Sequence, residues 1–217
     1  SIFSELNNLK NISINPEFAA VCGISEEEIR AQMAEYVEDY ASFNGITSEE
    51  AMNELKGQYD GYHFAWPSPD IYNPFSLLNA FQDRTLNSYW FESGTPTFLI
   101  EKLREFHVSP SDITRIEVMS SAFDAPTESM RTITPLLYQS GYVTIKDYDR
   151  ISRLYVLDIP NQEIRIGLME SLLPNYVDAY WETGLSTVAR MYLALRMNNL
   201  DEMLRLLQAY LRTIPQC

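Results

Sequence analysis

The sequence contains only two cysteines, two histidines and eight glycines among its 217 residues. Cys22 and Cys217 lie almost a whole chain apart, so they do not form a disulfide framework and instead indicate a reducing, cytoplasmic environment. His63 and His107 occur in neither an H-x-x-x-H nor a cysteine-paired spacing, so no zinc site is predicted. None of the glycines precedes a lysine, so the phosphate-binding G-x-x-x-x-G-K-[ST] loop is absent and the chain alone is not a complete P-loop ATPase.

Basic side chains are also scarce, with 16 lysines and arginines against 30 acidic residues and a formal charge of −14. The summed field of such a chain repels polyanions, so nucleic-acid binding by this chain alone is disfavoured. No apolar run approaches the roughly 20 residues that a transmembrane helix needs, so no membrane partner is expected. Hydrophobic residues make up 46% and charged residues 21%, a balance that is typical of a folded protein.

Two capping boxes mark helix starts in the first quarter of the chain. Ser25 is followed three residues later by Glu28, and Thr47 by Glu50, the spacing in which both side chains satisfy backbone amides of the first turn. The apolar residues after Ser25 recur at helical spacing and predict one helix region that ends at Gly45.

Three residue pairs of the form Asn-Pro or Thr-Pro predict further helix starts: Asn73-Pro74, Thr95-Pro96 and Thr134-Pro135. In each pair the first side chain can cap the helix, while proline loses nothing at the first helical position. Gly141 is predicted to end the third of these helices in the left-handed conformation. Helical spacing resumes in 164–173, 188–195 and 201–211.

The apolar period changes from helical to two after Tyr142. The segments YVTIKDYD and RLYVLDI flank Asp149-Arg150 and predict a β-hairpin. A helix, a tight turn, a two-stranded wing and a following helix are the parts of a winged-helix module, which we place at about 108–175. The fold is therefore predicted to be mainly α-helical with a small β-hairpin.

An aromatic stretch is the strongest candidate for a functional surface. Ten aromatic side chains lie between Tyr59 and Phe91, and helix starts at Asn73-Pro74 and Thr95-Pro96 follow aromatic segments. Unpaired amides and partial positive charge at a helix start suit a purine ring with phosphates nearby. The same residue types also build tightly wound structural loops, and spacing alone favours that structural role.

No catalytic or metal-binding set is predicted. The carboxylates of residues 26–39 are typical of a solvated helix face. Glu54-Leu55-Lys56 has the spacing found at nuclease metal sites, but it falls on a predicted helix without a partnering acidic residue on a strand.

Three segments of the aromatic stretch together resemble the AAA-ATPase-like family of bacterial proteins common in Bacteroidetes. These segments are YDGYHF (59–64), YNPFSLLNAF (72–81) and YWFESGTPTFLIEKL (89–103). Residues 1–29 are similar to the segment after the family's ATPase core strands, and 134–149 and 159–176 are similar to its downstream half. The resemblance thus extends over nearly the whole chain.

The resemblance implies an AAA-type helical lid at 1–107, followed by a winged-helix domain with trailing helices at 108–217. It also implies that the chain is the middle part of a longer ATPase, whose partner domains are an N-terminal P-loop core and a C-terminal PD-(D/E)XK nuclease-like domain. The cofactor of that parent protein would be ATP with Mg²⁺, and none is expected to be bound by this chain alone.

The resemblance further implies which residues contact the nucleotide. Gly94-Thr95-Pro96 is similar to the G-x-P motif by which AAA lids touch the base, and a lid arginine usually senses the γ-phosphate. The expected cofactor-binding residues are Tyr72, Asn73, Pro74, Trp90, Gly94, Thr95 and Pro96. The candidate sensors are Arg84, Arg104 and Arg131, among which the sequence does not choose.

The expected function is that of a lid and winged-helix coupling region without catalysis of its own. A second interpretation is a self-contained module that binds a protein or peptide through the aromatic patch 59–96. A third, weaker interpretation is a DNA-contacting winged helix, which the balanced charges of the predicted wing disfavour.

Overall fold

The protein is described by a computed structural model over residues 14–94, 97–108, 110–123, 131–176 and, with gaps at 188, 192, 195, 196 and 198, 187–211. It is mainly α-helical with one small antiparallel sheet, which confirms the coarse fold predicted from the sequence. Among the described residues, no helix combines the length and the apolar character needed to span a bilayer.

Ten helices with clear bounds and three strands follow one another along the described chain. The helices are α1 (Glu26–Gln32), α2 (Ala34–Asn44), α3 (Ser48–Tyr59), α4 (Pro74–Asp83), α5 (Tyr89–Gly94), α6 (Thr97–Glu105), α7 (Ser120–Phe123), α8 (Thr134–Gln139), α9 (Gln162–Tyr176) and α10 (Leu200–Leu211). Short 3-10 turns occupy Pro16–Phe18 and Pro110–Ile113. The strands are β1 (Ile116–Val118), β2 (Thr144–Asp149) and β3 (Leu154–Asp158).

The chain forms two compact units, Ser1–Met169 and Glu170–Cys217. The second unit contains α10 and helical positions at 187, 189–191, 193 and 194. The predicted domains 1–107 and 108–217 divide the chain elsewhere, and their assignment as lid and winged helix stays a prediction.

Helices α1 to α4 share one buried core. Both predicted capping boxes are present, because Ser25 and Thr47 each accept the amide of the glutamate three residues on and each glutamate bonds back. The single helix predicted after Ser25 is wrong, since the backbone leaves the helical region at Met33 (φ −123°, ψ 16°) and separates α1 from α2. Apolar spacing continues across this break, and the redirected chain buries residues of both helices in the same core.

The proline-containing helix starts differ from one another. Asn73 caps α4 as predicted, with its Oδ1 accepting the amides of Phe75 (3.0 Å) and Ser76 (3.4 Å). The prediction that Thr134 caps α8 is wrong, because Thr134 is the first residue of the helix. The preceding Ile133 has helical dihedrals and is buried. The helix therefore begins at Thr134, one residue before the predicted first residue Pro135. The predicted start at Thr95-Pro96 lies outside the described residues.

The sheet has the strand order β1-β3-β2. Strands β2 and β3 form the predicted antiparallel hairpin, in which Tyr148 lies opposite Tyr155, with a register shift between Ile145 and Asp147. Gly141 precedes the hairpin in the left-handed conformation as predicted (φ 72°). Strand β1 was not predicted, because three residues are too short to show a period of two.

Candidate functional site

A pocket of about 480 Å³ opens on the first unit and is lined largely by aromatic residues. Its volume lies within the range of small-molecule sites. The aromatic residues that line it are Tyr62, Phe64, Tyr72, Trp90, Tyr138 and Tyr142.

The pocket brings together four of the predicted nucleotide-binding residues, namely Tyr72, Asn73, Pro74 and Trp90. Gly94 is the last residue of α5. Thr95 and Pro96 lie outside the described residues, so their relation to the pocket stays a prediction.

Two of these four residues, Tyr72 and Asn73, have structural roles in the wall of the pocket. Tyr72 is fully buried in the core of α1 to α4, and its backbone exchanges hydrogen bonds with Ile24. Asn73 uses Oδ1 to cap α4. Both side chains therefore shape the pocket, and the capping oxygen of Asn73 is already occupied.

Trp90 is half-buried at the start of α5 and is fixed from two sides. Its ring meets Tyr142 edge-on at a centroid distance of 5.2 Å. Its backbone amide donates to Glu163 Oε1 at 2.8 Å, and the hydroxyl of Ser76 donates to the same oxygen at 2.9 Å. The fully buried Glu163 carboxylate thus joins α4, α5 and α9 behind the pocket. Sequence analysis missed Glu163, for which the only signal was its place just after the helix-capping Asn161.

A second part of the wall comes from the turn between α8 and β2. An added Cβ at Gly141 would lie 3.7 Å from the Tyr62 ring and 3.8 Å from the Trp90 ring. Sequence analysis predicted Gly141 as a helix stop but not as part of a site. Cys22, an exposed free cysteine, also lines the pocket and was not predicted to do so.

Among the lining residues that the structure describes, none is charged at neutral pH. Such a surface suits an uncharged ring and offers no cation to a phosphate. The three candidate sensor arginines are not in the lining: Arg84 pairs with Asp39 at 2.7 Å, while Arg104 and Arg131 are exposed.

Half of the aromatic stretch is core. Five of its ten aromatic side chains are buried, whereas Phe64 and Phe75 are exposed. The buried five are Tyr59, Tyr62, Tyr72, Phe81 and Phe91. The structural interpretation therefore explains much of the stretch, and the pocket accounts for part of the remainder.

A set of ionisable side chains lies beside this pocket. The pKa of Asp60, at the carboxyl end of α3, is raised to about 6 by burial. Burial lowers the pKa of His63 and also that of Lys146, which reaches from β2 to the carbonyl oxygens of Gly61 and Pro160. All three shifts disfavour the charged form, as expected where water is excluded.

Ser68, His63 and Asp70 form a hydrogen-bonded chain that has the composition of a hydrolase triad. His63 Nδ1 lies 3.0 Å from Ser68 Oγ, and Nε2 lies 2.7 Å from Asp70 Oδ1. However, Ser68 Oγ also lies 2.9 Å from the carbonyl oxygen of Ala65 and 3.4 Å from that of Pro69. Carbonyl oxygens would repel the oxyanion that acyl transfer creates, so this arrangement favours a structural role.

The described residues contain no group of three or more histidine, cysteine or acidic side chains placed to hold a metal ion. Glu54 of the Glu54-Leu55-Lys56 motif lies on α3 and accepts a hydrogen bond from the Tyr40 hydroxyl at 3.1 Å. This contact supports a structural interpretation of the motif.

Comparison with known proteins gives one distant relative. The chain is 33% identical over 220 residues to an uncharacterized protein encoded in the vnfD 5′ region of Azotobacter chroococcum mcd 1. The match covers 99% of this chain but only 40% of that protein, so the chain spans less than half the length of the curated relative it matches. No protein-family model matches the chain, and no solved structure matches it.

Proposed function

We propose that this chain is the lid and coupling region of an AAA-type ATP-binding protein, with a helical lid followed by a winged-helix domain. In this proposal the pocket receives the base of the nucleotide, and the hairpin transmits its occupancy to neighbouring domains. ATP with Mg²⁺ would be the cofactor of the longer protein, which would contribute the P-loop core and carry a nuclease-like domain.

The observation that carries this proposal is that one pocket has walls from both predicted regions. Tyr72, Asn73 and Trp90 come from the region predicted as lid, whereas Tyr138 and Tyr142 come from the segment that leads into the hairpin. A ligand between these walls would contact both, and its binding energy would favour one arrangement of the two segments.

The uncharged lining supports a division of the nucleotide between two surfaces. A purine ring can stack on aromatic faces, with a contribution of about 1–3 kcal/mol for a base. Phosphates need cations and backbone amides, which a P-loop supplies. The pocket would therefore hold the base alone, and the phosphates would lie on the proposed core.

The test is ATP binding to the longer protein that includes the proposed core, measured by calorimetry. Substituting Trp90→Ala or Pro96→Ala should weaken ATP binding about tenfold, which corresponds to about 1.4 kcal/mol. Phe98→Ala is the matched control, because this aromatic residue is exposed on α6 and is not in the lining. Unchanged ATP affinity in both test variants would refute the assignment of the base site.

A second candidate is a module that binds a protein or peptide through the aromatic patch 59–96. The observation that favours it is the exposure of the lining residue Phe64 (36%) and of Val21 (74%) and Phe75 (47%), which are next in sequence to lining residues. Selection of a displayed peptide whose binding this chain loses on Trp90→Ala, but not on Phe98→Ala, would favour this module. Failure to select any Trp90-dependent peptide would count against it.

A DNA-contacting winged helix is the weakest of the three. Lys146 on the wing is engaged with carbonyl oxygens, and Asp149 stands beside Arg150 at the tip. A gel shift at physiological salt tests this function, and we expect no shift.

A further inference from the structure

Side chains of β2 hold the backbone of residues 61–63, which begins the wall of the pocket. The amide of His63 donates to Thr144 Oγ1 at 2.8 Å, and the Thr144 hydroxyl donates to the carbonyl oxygen of His63 at 2.7 Å. Two residues further along the strand, the Lys146 ammonium donates to the carbonyl oxygens of Gly61 and, at 3.3 Å, Pro160. We call these contacts the hairpin clamp.

The clamp replaces an ordinary strand pairing. The contacts of Thr144 and Lys146 with residues 63 and 61 repeat every second residue, as they would in an antiparallel ladder, but side chains make them. A backbone ladder does not respond to ionisation, whereas the Lys146 contacts depend on its charge. The attachment of the hairpin to the pocket wall is therefore sensitive to neighbouring charges.

The His63 ring is the group that can change that charge. It is 7% exposed, and both of its nitrogens have partners within its own loop, Ser68 and Asp70. Trp66 packs edge-on against it at 5.1 Å. Lys146 from β2 and Asp70 are the charged groups that act on it most directly, the first opposing and the second favouring protonation.

Carboxyl groups outnumber cations around the clamp, and Asp70 acts on both Lys146 and His63. Lys146 is influenced by three carboxylates: Asp60 at the end of α3, Asp70 in the loop and Asp158 on β3. Two further charges act on Asp60: Lys56 lowers its pKa, whereas Glu26 raises it. A proton on His63 would add a second cation that acts on the half-buried Lys146, and the two cations would then compete for the charge of Asp70.

Ser68 allows His63 to take up this proton without losing a hydrogen bond. When the ring is neutral, Nε2–H donates to Asp70 and Nδ1 accepts the Ser68 hydroxyl. When the ring is charged, Nδ1–H donates to Ser68 Oγ, and the hydroxyl turns to the carbonyl oxygen of Ala65, which lies 2.9 Å away. The loop thus keeps its contacts in both states, and the consequence of protonation falls on Lys146.

We infer that protonation of His63 weakens the Lys146 contacts of the hairpin clamp, so that acidification loosens the hairpin from residues 61–63. The lowered pKa of His63 supports this inference, because it shows that the site disfavours the added charge at neutral pH. The inference goes beyond the proposed function and does not depend on which ligand the pocket binds.

The experiment combines NMR titration of the histidine rings with amide hydrogen exchange of β2 between pH 7.5 and pH 5, corrected for intrinsic exchange. Only two histidines are present, so His107→Gln assigns the His63 signal. We expect the protection of the residue 144–149 amides to fall as His63 titrates. Coupling of one pKa unit corresponds to about a tenfold change in the opening constant.

Three variants keep the inference falsifiable. Asp70→Asn retains an acceptor for Nε2–H but removes the negative charge, so the loss of protection should move to lower pH together with the His63 titration. Lys146→Met should give low protection of β2 that no longer changes with pH. Asp60→Asn removes a carboxyl group whose pKa is raised to about 6 by burial, and it should leave the response in place.

Two results would overturn the inference. One is full protection of β2 at a pH where the His63 signal shows complete protonation. The other is a loss of protection in Asp70→Asn that keeps the wild-type pH midpoint while the His63 titration moves. Neither result bears on ATP binding at neutral pH, so the failure of this inference and the failure of the proposed function are distinguishable.

Discussion

The backbone amide of Trp90 donates a hydrogen bond to the buried carboxylate of Glu163 at 2.8 Å, across 73 positions of sequence. Because the Ser76 hydroxyl donates to the same oxygen, this carboxylate fixes the start of α5 against both α4 and α9. The placement of the Trp90 ring in the pocket thus depends on a residue that does not line the pocket.

Replacing Glu163 should therefore destabilise the fold. We expect Glu163→Ala to lower the free energy of unfolding by about 2–4 kcal/mol, because two donors lose their shared acceptor in the interior. Glu163→Gln should cost less, since its amide oxygen can accept both hydrogen bonds. Urea unfolding measures both changes, and Glu101→Ala on an exposed face of α6 should stay within about 0.5 kcal/mol of the wild type. Equal losses for Ala and Gln would contradict the role of the shared acceptor.

Two glycines offer a test of the close approach at the hairpin clamp. Gly61 has φ of +106°, and an added Cβ would lie 2.5 Å from the carbonyl oxygen of Pro160. Gly57 lies in α3, where an added Cβ meets nothing within 4 Å. We expect Gly61→Ala to cost about 2 kcal/mol or more and Gly57→Ala to stabilise by about 0.5–1 kcal/mol.

Thermal and urea unfolding of the two glycine variants provide the measurement. A Gly61→Ala protein as stable as the wild type would show that the backbone of residue 61 moves freely away from Pro160. That result would also weaken the argument that Lys146 holds these two carbonyl groups together.

The buried carboxylate of Asp60 should make stability depend on pH. Its folded-state pKa is raised from 3.8 to about 6 by burial, and its position at the carboxyl end of α3 also disfavours negative charge. The folded state therefore binds this proton more tightly than the unfolded state does. This contribution to stability is present below about pH 4 and is lost as the pH rises to about 6.

Asp60→Asn removes that dependence, since an amide has nearly the size of the carboxyl group and does not ionise. We expect the variant to be about 1–3 kcal/mol more stable than the wild type at pH 7, because each pKa unit corresponds to about 1.4 kcal/mol. The advantage should vanish near pH 4. Urea unfolding at both pH values is the measurement, and an equal advantage at the two would contradict the assignment.

The helix caps and the hairpin could be predicted from the sequence because they depend on residues a few positions apart. The Ser25 and Thr47 boxes, the Asn73 cap and the Gly141 stop are all examples. The break at Met33 and the early start of α8 could not be predicted, because they depend on which residues are buried in the core. The apolar periodicity of the sequence contains no information on that choice. Strand β1 is defined by its partner β3.

The candidate site could be predicted only from one side. Tyr72, Asn73, Pro74 and Trp90 lie within one aromatic stretch and were recognised together. Gly141, which lines the pocket, and the buried Glu163, which does not, lie far along the chain from this stretch. Neither has an unusual local sequence. Their contribution depends on how α8, α9 and the hairpin pack against the stretch, which no spacing rule supplies.

Asn73 is the residue for which structural and ligand-binding roles can be separated most directly. Asn73→Ala removes the cap of α4, and we expect it to lower the free energy of unfolding by about 1–2 kcal/mol. Asn73→Ser keeps a capping oxygen and should recover most of that loss in urea unfolding. Asn79→Ala is the matched control on the same helix: the Asn79 side chain donates to the Phe75 carbonyl from an exposed position, so its substitution should cost little stability or should stabilise the protein.

If Asn73 also contacts a nucleotide, the stable Asn73→Ser protein will still bind ATP more weakly in the longer protein. Wild-type ATP affinity in that variant would leave Asn73 with its capping role alone.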